Sequence, residues 1–222
     1  GIPNHKKSCD ILMEKFNLVL MNSEVPQQSQ SIWKAQFNKR IKDIITLEEK
    51  RQLNGKPMAL EILGKYQIKL RNRDIFLVTA KADRIDSGTT GFTIFDYKTG
   101  QISKTKLDNF SPQLDIESLM FVNGAFGNKY EGQGLTLSLI GLGGEPKQYD
   151  KIVTLENLEQ WSLGLTKIIE KMKLDMSAFM ARVIPSKQES FSDHYEHLSR
   201  FGEWSDNDES DELIVQPLEK NC

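Results

Sequence analysis

The chain has 222 residues, 38% of them hydrophobic and 27% charged, with a formal net charge of −2. That content supports one sizeable core, which excludes a globally disordered chain. The lack of a bilayer-length apolar run or a signal-peptide pattern points to a soluble, intracellular protein. The two cysteines, Cys9 and Cys222, sit at opposite ends, which excludes a disulfide framework and a four-cysteine zinc or iron–sulfur site.

Charge is unevenly spread. From Glu203 onward there are seven acids and a single base, Lys220, so residues 1–202 hold 28 bases and 24 acids, a balance of +4. A mildly basic body followed by an acidic segment permits nucleic-acid binding without requiring it.

Residues 5–22 place Ile11, Leu12, Phe16, Leu18 and Val19 at helical spacings, which predicts a first helix. A polar loop leads to a second helix over residues 31–53, with Ile32, Trp33, Phe37, Ile41 and Ile44 or Ile45 on one face, ended by Asn54-Gly55. Residues 58–72 and 74–85 alternate and are β-branched or aromatic, with Asn72 at the turn between them. A third strand is predicted over Phe92–Tyr97, joined to the second by the loop DSGTTG. Ser111 and Pro112 then cap and open a helix whose stripe is Leu114, Leu119, Phe121 and Val122. A strand in GLTLSLIGLG follows, and a long helix in residues 154–180 with Leu155, Leu158, Trp161, Leu165, Ile168 and Met172 inward. This order gives an α/β (α+β) class with a central mixed β-sheet flanked by helices.

The stretch TAKADRIDSGTTGFTIFDYKTGQ, residues 79–101, carries the chemistry. Alternation puts Asp96 and Lys98 on one face of their strand and Tyr97 on the other. If the hairpin is symmetric about the Thr89–Thr90 bond, Asp83 lies opposite Asp96. Like charges so placed are destabilising, and they are well suited to a divalent metal held by oxygen ligands. The plain alternative is a surface hairpin with solvated Asp83–Lys98 and Asp86–Arg84 pairs. The apolar context of FTIFDYKTG argues against it, and Asp86 is expected to serve the turn.

ADRID, then DYKTG thirteen residues on, then a helix opening with QL, resembles the PD-(D/E)XK nuclease domain of the RecB type. That resemblance implies a restriction-endonuclease-like core and Mg²⁺- or Mn²⁺-dependent hydrolysis of DNA phosphodiesters. Residue by residue it implies Asp83, Asp96, Lys98 and Gln113 as catalytic residues. It implies metal held by Asp83, Asp96 and the carbonyl of Tyr97, with His5 as a further ligand through a G-x-x-x-H pattern formed by Gly1 and His5. Lys98 would position the attacking water, and Gln113 would hold the lysine or the substrate. SPQLDIESLMF is similar to the QLPLEA segment of bacterial AddB proteins, and YEHLSRFGEWS resembles the ending of alphaproteobacterial AddB. This implies a nuclease domain over residues 1–205 of a double-strand-break repair subunit. Its parts would be N-terminal helices to 55, a catalytic core over 56–145 and a docking segment over 146–205, with an acidic tail beyond. It further implies exonuclease action on single-stranded or unwound DNA, an AddA-like helicase–nuclease partner and a bacterial cytoplasmic, nucleoid-associated setting. No membrane contact and no iron–sulfur cluster are expected, and there is no phosphate-binding loop for ATP. A chain beginning so near the motif has the look of an excised domain.

The other readings of the chain are an idle DNA-binding or subunit-docking module with the same fold, and a stand-alone exonuclease. Glu61 is read as a strand-edge acid before an extra metal-shell acid, and Glu117 as a buttress of the site or an exposed residue. Lys39, Arg40 and Lys42 form a basic helix face. Trp33, Trp161 and Trp204 read as core or interface, and His194 and His197 as part of the docking tail.

Overall fold

The structure is a computed structural model. It describes residues 4–173 apart from positions 101, 110 and 128 and the side chain of Lys106. The chain divides into two units, residues 1–169 and 170–222, and of the second only residues 170–173 are described. Gly1, Cys222, Trp204, His194, His197 and the YEHLSRFGEWS segment therefore lie outside the described residues.

Two helices lead. α1 spans His5–Met21, opened by Asn4, whose side chain accepts the Lys6 N–H at 3.1 Å. α2 spans Gln27–Gln52, four residues earlier at its start than the apolar stripe indicated, because Pro26 sets its entry. The two helices meet through Phe16 and Phe37, whose rings stack at 4.0 Å. The faces are narrower than their apolar periodicity: Val19, Ile32 and Trp33 are exposed, whereas Leu20 and Ile41 are buried.

Five strands follow: β1 (Gly55–Lys69), β2 (Ile75–Gly88), β3 (Gly91–Lys98), β4 (Gly134–Gly141) and β5 (Lys147–Val153). They form one sheet in chain order, antiparallel except for the parallel β3–β4 pair. A parallel neighbour requires a crossover. Here α3 (Lys104–Asn109) and α4 (Pro112–Val122) supply it. The sheet is therefore mixed and flanked by helices. The β2–β3 turn is Thr89-Thr90 alone, and pairs such as Arg84–Phe95 and Gly88–Gly91 reproduce the symmetric register. Gly91 is required there: its φ is +141°, and a Cβ would sit 1.9 Å from the Gly134 carbonyl oxygen.

The core lies under α4. Leu114, Met120 and Phe121 pack with Ile85, Ile94, Leu135 and Leu137. Burying such side chains contributes about 1.5–3 kcal/mol each. α5 (Leu155–Met172) keeps Trp161 and Leu165 of its expected stripe inward but departs from it towards both ends. Ile169 is buried with Ile68 and Leu70, and Leu165 packs beside them, while Leu155, Ile168 and Met172 are exposed. No described helix is long and apolar enough to cross a membrane.

Candidate active site

Alternation splits the charged residues of the β2–β3 hairpin between two faces. On the α4 face, Asp96 is buried, and Lys98 reaches back along its own strand to contact both carboxylate oxygens, at 3.0 and 2.9 Å. The same ammonium donates to Gln113 Oε1 at 3.0 Å. Gln113 stands in the first turn of α4, which Ser111 and Pro112 start at that height above the sheet. Its amide nitrogen donates in turn to Glu117 Oε1, one helical turn on, at 3.2 Å. Asp83 is half-buried and joins through the backbone, its Oδ2 accepting the Tyr97 N–H at 3.0 Å. The paired register of β2 and β3 ends one step earlier, at Arg84–Phe95, so Asp83 lies where the strands part.

Four of the residues singled out in the sequence are thus linked: Asp96, Lys98 and Gln113 by side chains, and Asp83 through Tyr97. His5 has another neighbour. It opens α1, and its Nδ1 lies 3.2 Å from both oxygens of Glu49 on α2. Glu61 is an exposed residue with φ of +50°, paired with Lys81 at 2.6 Å. Lys39 and Lys42 are exposed, while Arg40 donates to the Leu142 carbonyl at 3.2 Å; the Leu142 N–H in turn bonds the Lys98 carbonyl at 2.8 Å. Trp33 is exposed, and Trp161 carries Lys151 over its ring at 4.8 Å.

The opposite face holds a charge network. Asp86 does not serve the turn. It is buried and receives Arg84 in a two-pronged pair, Nε to Oδ1 at 2.5 Å and Nη2 to Oδ2 at 2.7 Å. Arg84 Nη1 also donates to Glu48 of α2, at 3.1 and 3.0 Å, and Arg51 pairs with the same carboxylate. Burial opposes the charge of Arg84, but its bonds to Asp86 and the proximity of Tyr97 prevail, so its pKa is raised. Arg51 donates to the Tyr97 hydroxyl at 2.8 Å and lies 4.7 Å from the Phe95 ring centroid. Tyr97 is therefore held from both sides of the sheet: its ring by Arg51, its N–H by Asp83.

Glu117, read from sequence as buttress or exposed, is 2% exposed. Burial foremost pushes its pKa up to about 7, and the charges of Asp96 and Asp83 add to that, against the Gln113 bond and Lys98. Its Oε2 is buried and has no hydrogen-bond partner among the described residues. The i, i+4 spacing from Gln113 was the signal for it.

The sequence pattern of the PD-(D/E)XK nuclease superfamily matches residues 2–186. The chain belongs to the PD-(D/E)XK nuclease superfamily. It is 28% identical over 193 residues to an uncharacterized protein of Rickettsia felis, covering 69% of this chain and 22% of that protein. It is 34% identical over 116 residues to an uncharacterized protein of Rickettsia typhi, covering 51% of this chain and 13% of that one. The chain thus spans about a fifth or less of the curated relatives it matches. The fold agrees with the superfamily's restriction-endonuclease-like core, and superfamily members are usually nucleases that use divalent metals such as Mg²⁺. The carboxylates of Asp96, on Lys98, and of Asp83, on the Tyr97 N–H, are hard oxygen donors of the kind a divalent cation takes, and among the described residues no three acidic, thiol or imidazole side chains are gathered as a metal cage.

Proposed function

We propose that this chain is a metal-dependent deoxyribonuclease domain that hydrolyses DNA phosphodiesters, with Asp83, Asp96, Lys98 and Gln113 as its working residues. The observation that carries the reading is Lys98. Its ammonium is held within 3.0 Å of both the buried Asp96 carboxylate and Gln113. A lysine that merely solubilised a sheet edge would not be fixed from the following helix.

Asp83, Asp96 and the Tyr97 carbonyl would hold Mg²⁺ or Mn²⁺, and His5 is the further ligand of the proposal. When bound, the ion polarises the phosphoryl oxygen and lowers the pKa of a water. Lys98 directs that water and offsets charge growing on the phosphate, an electrostatic contribution that is usually the largest in such a reaction. Gln113 keeps the lysine from swinging into solvent. The Arg51–Tyr97 bond fixes the strand end that carries Asp96 and Lys98.

The finer reading is an exonuclease that processes double-strand-break ends in an AddB-like subunit beside an AddA-like helicase partner, acting on single-stranded or unwound DNA in the bacterial cytoplasm. SPQLDIESLMF, the segment that forms α4, supports it, as does the much greater length of the matched relatives. The test is cleavage of end-labelled single-stranded DNA with Mg²⁺ or Mn²⁺ by wild type, Asp96→Ala and Lys98→Ala. Loss in both variants with unchanged circular dichroism is expected. Cleavage that persists in a clean variant preparation overturns the assignment, and DNA binding without any cleavage by wild type favours the idle module.

A further inference from the structure

Glu117 is left over when those roles are assigned. It is the charged side chain among the largest fully buried ones of the described residues. Its Oε1 is tied to Gln113 and its Oε2 has no partner among the described residues. A buried carboxylate oxygen without a donor is unfavourable, so an ordinary structural glutamate would be expected to have one. Its neighbour Ser118 is equally buried and is satisfied, its hydroxyl donating to the Leu114 carbonyl at 2.8 Å. The charges that act on Glu117 are those of the site. Asp96 and Asp83 repel its ionised form and Lys98 attracts it. With Glu117 ionised, the three carboxylates against one ammonium leave an excess of two negative charges, which matches a divalent cation.

We propose that Glu117 is a third acidic group of the cation site, engaging a divalent metal through Oε2, directly or through one of the metal's waters. This rests on the nuclease reading above. Among the described residues no three acidic, thiol or imidazole side chains are gathered as a cage, so Glu117 would reach the ion through one of its waters or by a side-chain movement on binding. Its hold on Gln113 leaves one oxygen for that purpose, and the same helical turn that brings Gln113 to Lys98 presents it.

The test is Mn²⁺ binding by calorimetry to wild type, Glu117→Gln and Asp96→Ala. The glutamine keeps the size of the side chain and an oxygen that accepts from Gln113, and it removes the charge. A loss of tenfold or more in Mn²⁺ affinity is expected for Glu117→Gln, the range seen when groups supporting a metal site are removed. A change below threefold overturns the proposal and makes Glu117 a positioning residue for Gln113. Wild type that binds no Mn²⁺, or Asp96→Ala that binds as well as wild type, overturns the underlying nuclease reading as well. Should Glu117→Gln fail to fold, carbon-13 spectra of wild type decide the point. Substoichiometric Mn²⁺ is expected to broaden the Glu117 carboxyl resonance far more than that of exposed Glu131; equal broadening overturns the proposal.

Discussion

Asp86→Asn separates the two charged faces of the hairpin. Arg84 is buried and spends two of its donors on Asp86, at 2.5 and 2.7 Å, and another on Glu48. Breaking a buried pair by removing one partner's charge costs about 3–5 kcal/mol. Glu48 remains, and the asparagine still accepts one bond, so the expected loss is about 2–3 kcal/mol, below that range. For a domain of this size that lowers the thermal midpoint by roughly 4–12 °C at about 2–4 °C per kcal/mol. The assay is urea unfolding at pH 7 followed by circular dichroism, with DNA cleavage measured on the folded protein. A shifted midpoint with an unchanged m-value and cleavage within about threefold of wild type is expected, since an intact opposite face keeps its chemistry. A loss below about 0.5 kcal/mol would place Arg84 and Asp86 among solvated pairs and refute the buried-network argument.

The metal-free protein will lose stability as pH rises, through Glu117. Its pKa is raised from 4.5 to about 7, so the native state holds a proton that the unfolded chain has released. The contribution is fully present below about pH 4.5 and is lost as pH rises through about 7, up to roughly 3 kcal/mol at 1.36 kcal/mol per unit. The Glu117→Gln variant should lack that part of the slope between pH 5 and 8, and identical slopes would contradict it. Gln113→Ala should lower kcat about tenfold with KM nearly unchanged, because Lys98 loses its second anchor. An equal fall in affinity would instead make Gln113 a substrate contact. Gly91→Ala should destabilise by more than about 1 kcal/mol, as its Cβ would meet the Gly134 carbonyl at a φ of +141°. Soluble yield and melting temperature read this out, and a wild-type melt would contradict it.

The local rules of the hairpin were legible in the sequence. A two-residue Thr89-Thr90 turn fixes the register by geometry, and alternation then assigns Asp96 and Lys98 to one face whatever the rest of the chain does. The Gln113 position was equally readable, since Ser111-Pro112 sets the start of α4. What was hidden depended on packing across distance. Asp86 looked like a turn residue because the network that buries its Arg84 pair runs on from Arg84 to Glu48, 36 positions away on a helix whose apolar stripe says nothing about a charged contact. The polar strand β5 was missed because KQYDKIV has only Ile152 and Val153 as consecutive apolar residues, and its place comes from pairing with β4. The inward edge of α5 was misjudged by one position, Ile168 for Ile169, since both are isoleucine and only the contact with Ile68 and Leu70 distinguishes them.

The central claim is that the Asp96–Lys98–Gln113 cluster is a working nuclease site. Single-turnover cleavage of end-labelled single-stranded DNA by Lys98→Ala against wild type, at saturating Mg²⁺ and matched DNA occupancy, tests it most directly. The account predicts a rate about a hundredfold to a thousandfold lower with DNA binding retained, as for loss of a group that stabilises transition-state charge. A rate within tenfold of wild type, with the variant folded and DNA-bound, would contradict it.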